Sequence, residues 1–265
     1  MTTPTENHIV TRDLTLEHPF EWLKKGWEDF KRAPMIGLLH GIGISVAGLI
    51  LMVAAYDKFW ILAGAITGFL AFAPVVAVGL YGLSREMERG GEPTLMVVFK
   101  TWWSWRGKPH HDWRLVRFGL LLCLSGIGWV LTSAALITLF APEPVNQPLD
   151  FLRYVVLAPD SYLFEAWLMI GGALIAPVFA STVVTLPLLM DRKISILDAV
   201  LVSWKVVMEN PAPMALWAAL IMVLTMMGIL ALIGSAIVIP VLGHASWHVY
   251  RDAVSADYLQ PREKD

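Results

Sequence analysis

APMALWAALIMVLTMMGILALIGSAIVIPVLGHASWHVY, residues 212–250, runs for 39 positions without an Asp, Glu, Lys or Arg. A helix rises 1.5 Å per residue, so this run would extend about 60 Å, twice the roughly 30 Å of bilayer hydrocarbon. It has to fold back on itself. Gly234 and Ser235 offer the turn, giving passages over 212–232 and 235–251. ALIGS at 231–235 is a weak turn signal, so one passage here, and five in all, is the alternative. Four more runs are long enough to satisfy their own backbone across a membrane: 35–56, 59–83, 118–141 and 166–190. The whole chain of 265 residues is 57% hydrophobic and 16% charged, and its mean hydropathy is +0.61. A soluble domain carries about 25% charged residues. The solvent is therefore lipid.

Charge supports the even count. With six passages and both termini in the cytoplasm, 18 of the 20 Lys and Arg residues lie inside, and only Lys58 and Arg153 lie outside. Five passages would strand Arg251, Arg262 and Lys264 on the wrong side. The outer loop 141–165 is acidic and proline-bearing, with an apolar patch, FLRYVVL, suited to the outer leaflet or a partner. A polar N-terminus with no apolar core argues against a cleaved signal. Net charge is −2, and neither a Gly-rich phosphate loop nor a basic recognition helix is found, so no nucleic-acid partner is expected. One cysteine, Cys123, excludes an intramolecular disulfide.

Three amphipathic segments precede passages one, three and five. In PFEWLKKGWEDFKRAP, residues 19–34, Phe20, Leu23, Trp27 and Phe30 share one stripe, and the charged residues take the other face. PTLMVVFKTWWSWRGKP and SILDAVLVSWKVVMENP resemble it. In each, a tryptophan precedes a proline by seven residues: Trp27 and Pro34, Trp102 and Pro109, Trp204 and Pro211. Random placement of 12 Trp and 16 Pro gives roughly 0.7 such pairs. Trp anchors a helix among headgroups and Pro ends it, so each unit reads as a surface helix followed by a hairpin. Pro74, Pro177 and Pro240 recur in the returning helices, in imperfect register. Recurrence of interfacial Trp and Pro without a true repeat is the alternative. Gly37 with Gly41, and Gly64 with Gly68, are small-residue pairs suited to close helix packing.

Chemistry has few candidates. No Asp, Glu, Lys or Arg lies inside the six passages before Arg251, which argues against an ion-coupled transporter. His40, His244, His248 and Cys123 remain. His40 and Cys123 are each the sixth residue of their passages, and His244 lies at a similar depth. The i, i+4 pair His244 and His248 presents both imidazoles to one side, a spacing able to hold zinc or copper if His40 and Cys123 complete the set. That requires passages one, three and six to meet. A haem would need His40 opposite one of the pair. The competing reading is structural: hydrogen bonds to carbonyls or headgroups, and an interfacial anchor completed by Trp247, Tyr250 and Arg251. Ala245 stands where a zincin needs glutamate. His110, His111 and Asp112 form a weaker cytoplasmic cluster, and Met222, Met226 and Met227 are ordinary packing residues as well as soft ligands. Ser181, Thr182 and Thr185 are expected to hydrogen-bond within or between helices.

HPFEWLKKGWEDFKRAP at the start, the proline-bearing passages, and GHASWHVYRDAV at the end resemble the domain of unknown function 2189 family of predicted bacterial integral membrane proteins. The resemblance implies a polytopic inner-membrane protein of unassigned activity, and some members carry the label of cytochrome c oxidase subunits. Too few buried histidines are present here for a haem-copper catalytic subunit. The expectation is thus an all-α polytopic protein: a polar tail at 1–18, one integral domain at 19–254, and a C-terminal tail at 255–265. The leading function is a non-enzymatic scaffold or accessory component of a membrane complex in the bacterial inner membrane, with a respiratory complex as the candidate partner. A metal- or haem-binding component and a small-molecule or lipid transporter are the alternatives.

Overall fold

A computed structural model describes residues 10–103, 113–159, 161–231, 234–256 and 259–262. Each apolar run is helical. The first passage is α2, Pro34–Ala54, entered directly from the surface helix α1, His18–Arg32, with Pro34 as the first helical residue. Proline fits there because its missing N–H has no intrahelical partner to lose. The second passage is α3, Phe59–Val76, continued after one turn residue by α4, Val78–Glu88. A second surface helix, α5, Leu95–Trp103, leads to the third passage, α6, Arg114–Phe140. A short α7, Pro148–Phe151, with a π turn at Leu152–Val156, occupies the loop between α6 and the fourth passage. The fourth passage is α8, Leu163–Thr182, continued by α9, Thr185–Asp191. The third surface helix, α10, Ile196–Glu209, is capped by the Ser195 hydroxyl. It precedes α11, Pro211–Leu230, and α12, Ser235–Ala253.

Among the described residues, five stretches are long and apolar enough to cross a membrane: α2, α3 with α4, α6, α8 with α9, and α11. α12 falls outside that set for a physical reason. From Leu242 onward most of its side chains are buried inside the protein, among them His244, Ala245, Trp247, Val249 and Tyr250. A helix wrapped by protein does not need a lipid-compatible sequence. α2 is the opposite case, with most of its outer half exposed and apolar.

The main core lies at one end of the helices, where Trp22, Tyr81, Leu186, Leu188, Trp217, Trp247 and Tyr250 pack together. Away from that end the helices sort into groups. α2, although joined to α3 by a short turn, packs along α12, whereas α3 packs along α6. Both glycine pairs serve these contacts. A Cβ on Gly41 would lie 2.2 Å from the Ala236 carbonyl oxygen, and one on Gly64 would lie 2.9 Å from Ser133 Cβ.

Each surface helix docks on a returning helix: α1 on α12, α5 on α4, and α10 on α8 and α9. On α1 the apolar stripe divides. Phe20 and Trp27 are exposed, while Trp22, Gly26, Asp29 and Phe30 turn into the protein. Asp29, which the amphipathic pattern places on the polar face with the other charged residues, is buried. α10 keeps Leu197, Leu201, Trp204 and Met208 exposed at helical spacing, as a helix lying on a bilayer does. Near the two ends of the chain β1, Val10–Thr11, pairs antiparallel with β2, Val254–Ser255. Asn210 clamps the junction, accepting from Leu14 N at 2.7 Å and donating to the Arg12 carbonyl at 3.2 Å.

Candidate functional site

The inner half of α12 is a post to which three neighbouring helices are bonded. Its residues follow one another around the helix, so successive side chains meet different partners. Trp247 donates its indole N–H to Glu88 Oε2 at 2.8 Å, and Arg251 Nε donates to Glu88 Oε1 at 2.8 Å, both reaching α4. Tyr250 donates to Asp191 Oδ2 of α9 at 2.9 Å. Asp252 accepts from Trp22 Nε1 at 3.0 Å and Lys25 Nζ at 2.8 Å, both on α1.

His244 and His248 face one network, as their spacing implies. Ser84 of α4 donates to Asp29 Oδ2 at 2.7 Å, and His248 Nε2 donates to the same oxygen at 2.9 Å. His244 Nδ1 lies 2.8 Å from Ser84 Oγ. Since the serine proton is committed to Asp29, His244 holds its proton on Nδ1 and donates it, which leaves Nε2 a bare lone pair. That atom is fully buried and has no hydrogen-bond partner among the described residues. His40 on α2 donates Nδ1–H to the Ile36 carbonyl at 3.0 Å and lies within electrostatic reach of His244. Gly79 lets α4 pass close by, because a Cβ there would sit 3.0 Å from His40 Nε2 and 3.0 Å from Trp102 Nε1.

Three of the four sequence candidates are thus gathered: His40, His244 and His248. Cys123 is a half-buried free thiol on α6, whose main neighbours are α3, α8 and α9 rather than the histidine-bearing α2 and α12. Among the described residues no group of three or more His, Cys, Asp or Glu side chains is placed to hold a metal ion. His110, His111 and Asp112 lie outside the described residues. Met222 and Met226 line a crevice between helices and Met227 is exposed. The hydroxyls behave as expected: Thr182 donates to the Val178 carbonyl at 2.9 Å and Thr185 to that of Ser181 at 2.6 Å, while Ser181 Oγ accepts from Trp204 at 2.9 Å. Sequence reasoning missed Asp29, Ser84, Glu88, Asp191 and Asp252. A signal for some of them existed, since an arginine and an acid recur where the returning helices end, in SREME, MDRK and YRDA.

Burial pushes the Asp29 carboxyl up, but hydrogen bonds from His248 and Ser84, with the charge of His248, outweigh it and hold the group below the usual carboxylate range. A depressed folded value means that Asp29 contributes stability above the unfolded value of about 4, lost as pH falls through the folded value. Asp29→Ala removes the acceptor shared by the Ser84 hydroxyl and the His248 imidazole and is expected to cost about 1–3 kcal/mol at pH 7. Unfolding midpoints in detergent check this, and the gap between variant and wild type should narrow below about pH 4.

These features define a polytopic helical membrane protein whose helices are tied at one end by a partly buried polar network. Residues 61–191, from within α3 to the end of α9, match the family described as "Predicted integral membrane protein (DUF2189)". The two end motifs that also resemble the family lie outside the matched residues. No curated protein and no solved structure matches the chain significantly.

Proposed function

We propose that the protein is a non-enzymatic scaffold or accessory component of a complex in the bacterial inner membrane. One observation carries this reading. The acidic side chains gathered around α12, Asp29, Glu88, Asp191 and Asp252, are each hydrogen-bonded to a neighbouring helix. Such groups lock helices and are not arranged to act on a substrate. The fold reading that accompanies it has six passages, with α12 as the sixth and both termini cytoplasmic. Pairing of β1 with β2 supports an even number, because chain ends that hydrogen-bond lie on one side of a membrane. The docking of α1, α5 and α10 on returning helices supports three related surface-helix and hairpin units, with α1 closing on the last.

Two measurements test the proposal. Reporter fusions at both ends should report the cytoplasm, and opposite sides would overturn the topology. Cross-linking in intact membranes followed by native electrophoresis should place the chain in an assembly with one recurring partner. A chain that migrates alone before and after cross-linking would overturn the scaffold role.

A second reading, a metal- or haem-binding component using His40, His244 and His248, is favoured by the bare and buried Nε2 of His244. Such an atom seeks a donor or a cation. A stoichiometric metal, or a Soret band, that disappears in His244→Ala would favour it over the scaffold. Purified protein with neither would dismiss it.

A further inference from the structure

We propose that the crevice bounded by α3, α6, α8 and α11 is a binding site for one acyl chain of a bilayer lipid. This goes beyond the scaffold role and rests only on the helices lying in a membrane. The crevice has a volume of about 480 Å³, within the roughly 300–1,000 Å³ of ordinary ligand pockets. Its depth is that of the middle of the passages, with walls at Thr67 and Gly68, Trp129, Trp167, Gly172 and Met222.

Its chemistry selects hydrocarbon. Trp129 donates its indole N–H to Thr67 Oγ1 at 2.8 Å, and Thr67 passes its own proton to the Ala63 carbonyl at 2.8 Å. Trp167 donates to Ser133 Oγ at 2.8 Å, and Thr132 to the Gly128 carbonyl at 2.8 Å. The two indole N–H groups and the Thr67 and Thr132 hydroxyls are therefore satisfied within the protein, Ser125 is the one other hydroxyl among the lining residues, and none of those residues is charged. A polar ligand placed here would exchange its hydrogen bonds to water for little more than the Ser125 hydroxyl.

Its walls are fixed before any ligand arrives. The Trp129 and Trp167 rings lie 5.4 Å apart at 50°, and a Cβ on Gly171 would strike the Trp129 ring at 2.8 Å. Two aromatic plates held from behind cannot fold over to close the gap. The rim is continuous with the lipid-facing surface, since Leu168, Leu174 and Met222 line the crevice and are also exposed. The chains already packed on that surface are the molecules with direct access. Gly128 and Gly172 open onto the crevice, and a Cβ added at either would meet nothing within 4 Å, so their lack of side chains preserves room that no neighbouring protein atom uses.

The test is a titration of the delipidated full chain in detergent with dioleoyl phosphatidylglycerol, read by native mass spectrometry. Wild type should bind one lipid saturably. Gly172→Leu, whose side chain grows into the crevice, should raise the half-saturation concentration on the order of tenfold. Gly43→Leu, on the open face of α2 where a Cβ meets nothing within 4 Å, should leave it unchanged. Helicity and unfolding midpoint establish that each variant is folded. If Gly172→Leu fails that check, Met222→Trp fills the crevice from the opposite wall and should give the same shift. Identical titrations for wild type and a folded crevice variant, or binding that never saturates, would overturn the site. Loss of an oligomer in the variant would also overturn it, because a second protein chain would then be the occupant.

Discussion

Gly41→Ala is expected to destabilise the protein by on the order of 3 kcal/mol, while Gly43→Ala, two residues along the same helix, is neutral or stabilising by up to about 1 kcal/mol. At Gly41 the added Cβ would lie 2.2 Å from the Ala236 carbonyl oxygen and 2.6 Å from the Ala236 Cα. Both are backbone atoms of α12, so no side-chain rotation relieves the contact and the two helices have to separate. Separation also removes the Ser45–Ser235 hydroxyl contact, 2.7 Å long, one turn further on. Dispersion between closely approaching backbones is the main attraction available where lipid is as apolar as the helix. At Gly43 nothing lies within 4 Å, so the methyl group meets only lipid and the helix gains propensity. Denaturation in mixed micelles measures both variants against wild type. Equal midpoints for the two would show that α2 does not depend on this contact.

The contrast between these glycines marks how far the sequence could be read. The apolar runs are local, and a bilayer imposes one length on each, so the five long apolar helices and the surface helices before them were legible, whereas the prolines, read as ending the surface helices, prove to be the first residues of α2 and α11. Which helix packs on which was not. Gly41 and Gly43 stand in the same apolar run, and only the position of α12 distinguishes them. α3 follows α2 in the chain yet pairs with α6, because close packing rewards matched small residues rather than sequence adjacency. For the same reason hydropathy undervalues α12: a helix buried in protein carries His244, Trp247 and Tyr250 where a lipid-facing one would carry leucine. The histidine pair was half legible. Spacing of four residues puts His244 and His248 on one side, but the carboxylate that His248 meets directly, and His244 through Ser84, belongs to α1, where Asp29 looks like one more charge on a solvated face.

Asp191→Ala is expected to have the other large effect, a loss of about 3–5 kcal/mol, because it removes one partner of a buried polar group and strands the rest. Asp191 ends α9 and is nearly inaccessible. Its Oδ2 accepts from Tyr250 Oη and from Arg192 Nε, each at 2.9 Å, and its Oδ1 lies 3.8 Å from Arg89 Nη2. One carboxylate therefore joins α9, α12 and the segment after α4. Its backbone carbonyl also accepts from Arg262 N at 2.9 Å, which ties down the C-terminal tail. Without the carboxylate, a fully buried tyrosine hydroxyl loses its acceptor and two arginines lose a counter-charge. Tyr250→Phe deletes the hydroxyl but leaves Arg192 paired, so it should cost only about 1 kcal/mol. Asp191→Asn keeps an acceptor for Tyr250 while losing the charge, and should fall between the two. This order, alanine worst and phenylalanine mildest, is what a charge-centred hub requires, and unfolding midpoints of the three variants in detergent will test it. If Tyr250→Phe proves as damaging as Asp191→Ala, the hydroxyl contact rather than the carboxylate charge holds the inner core together.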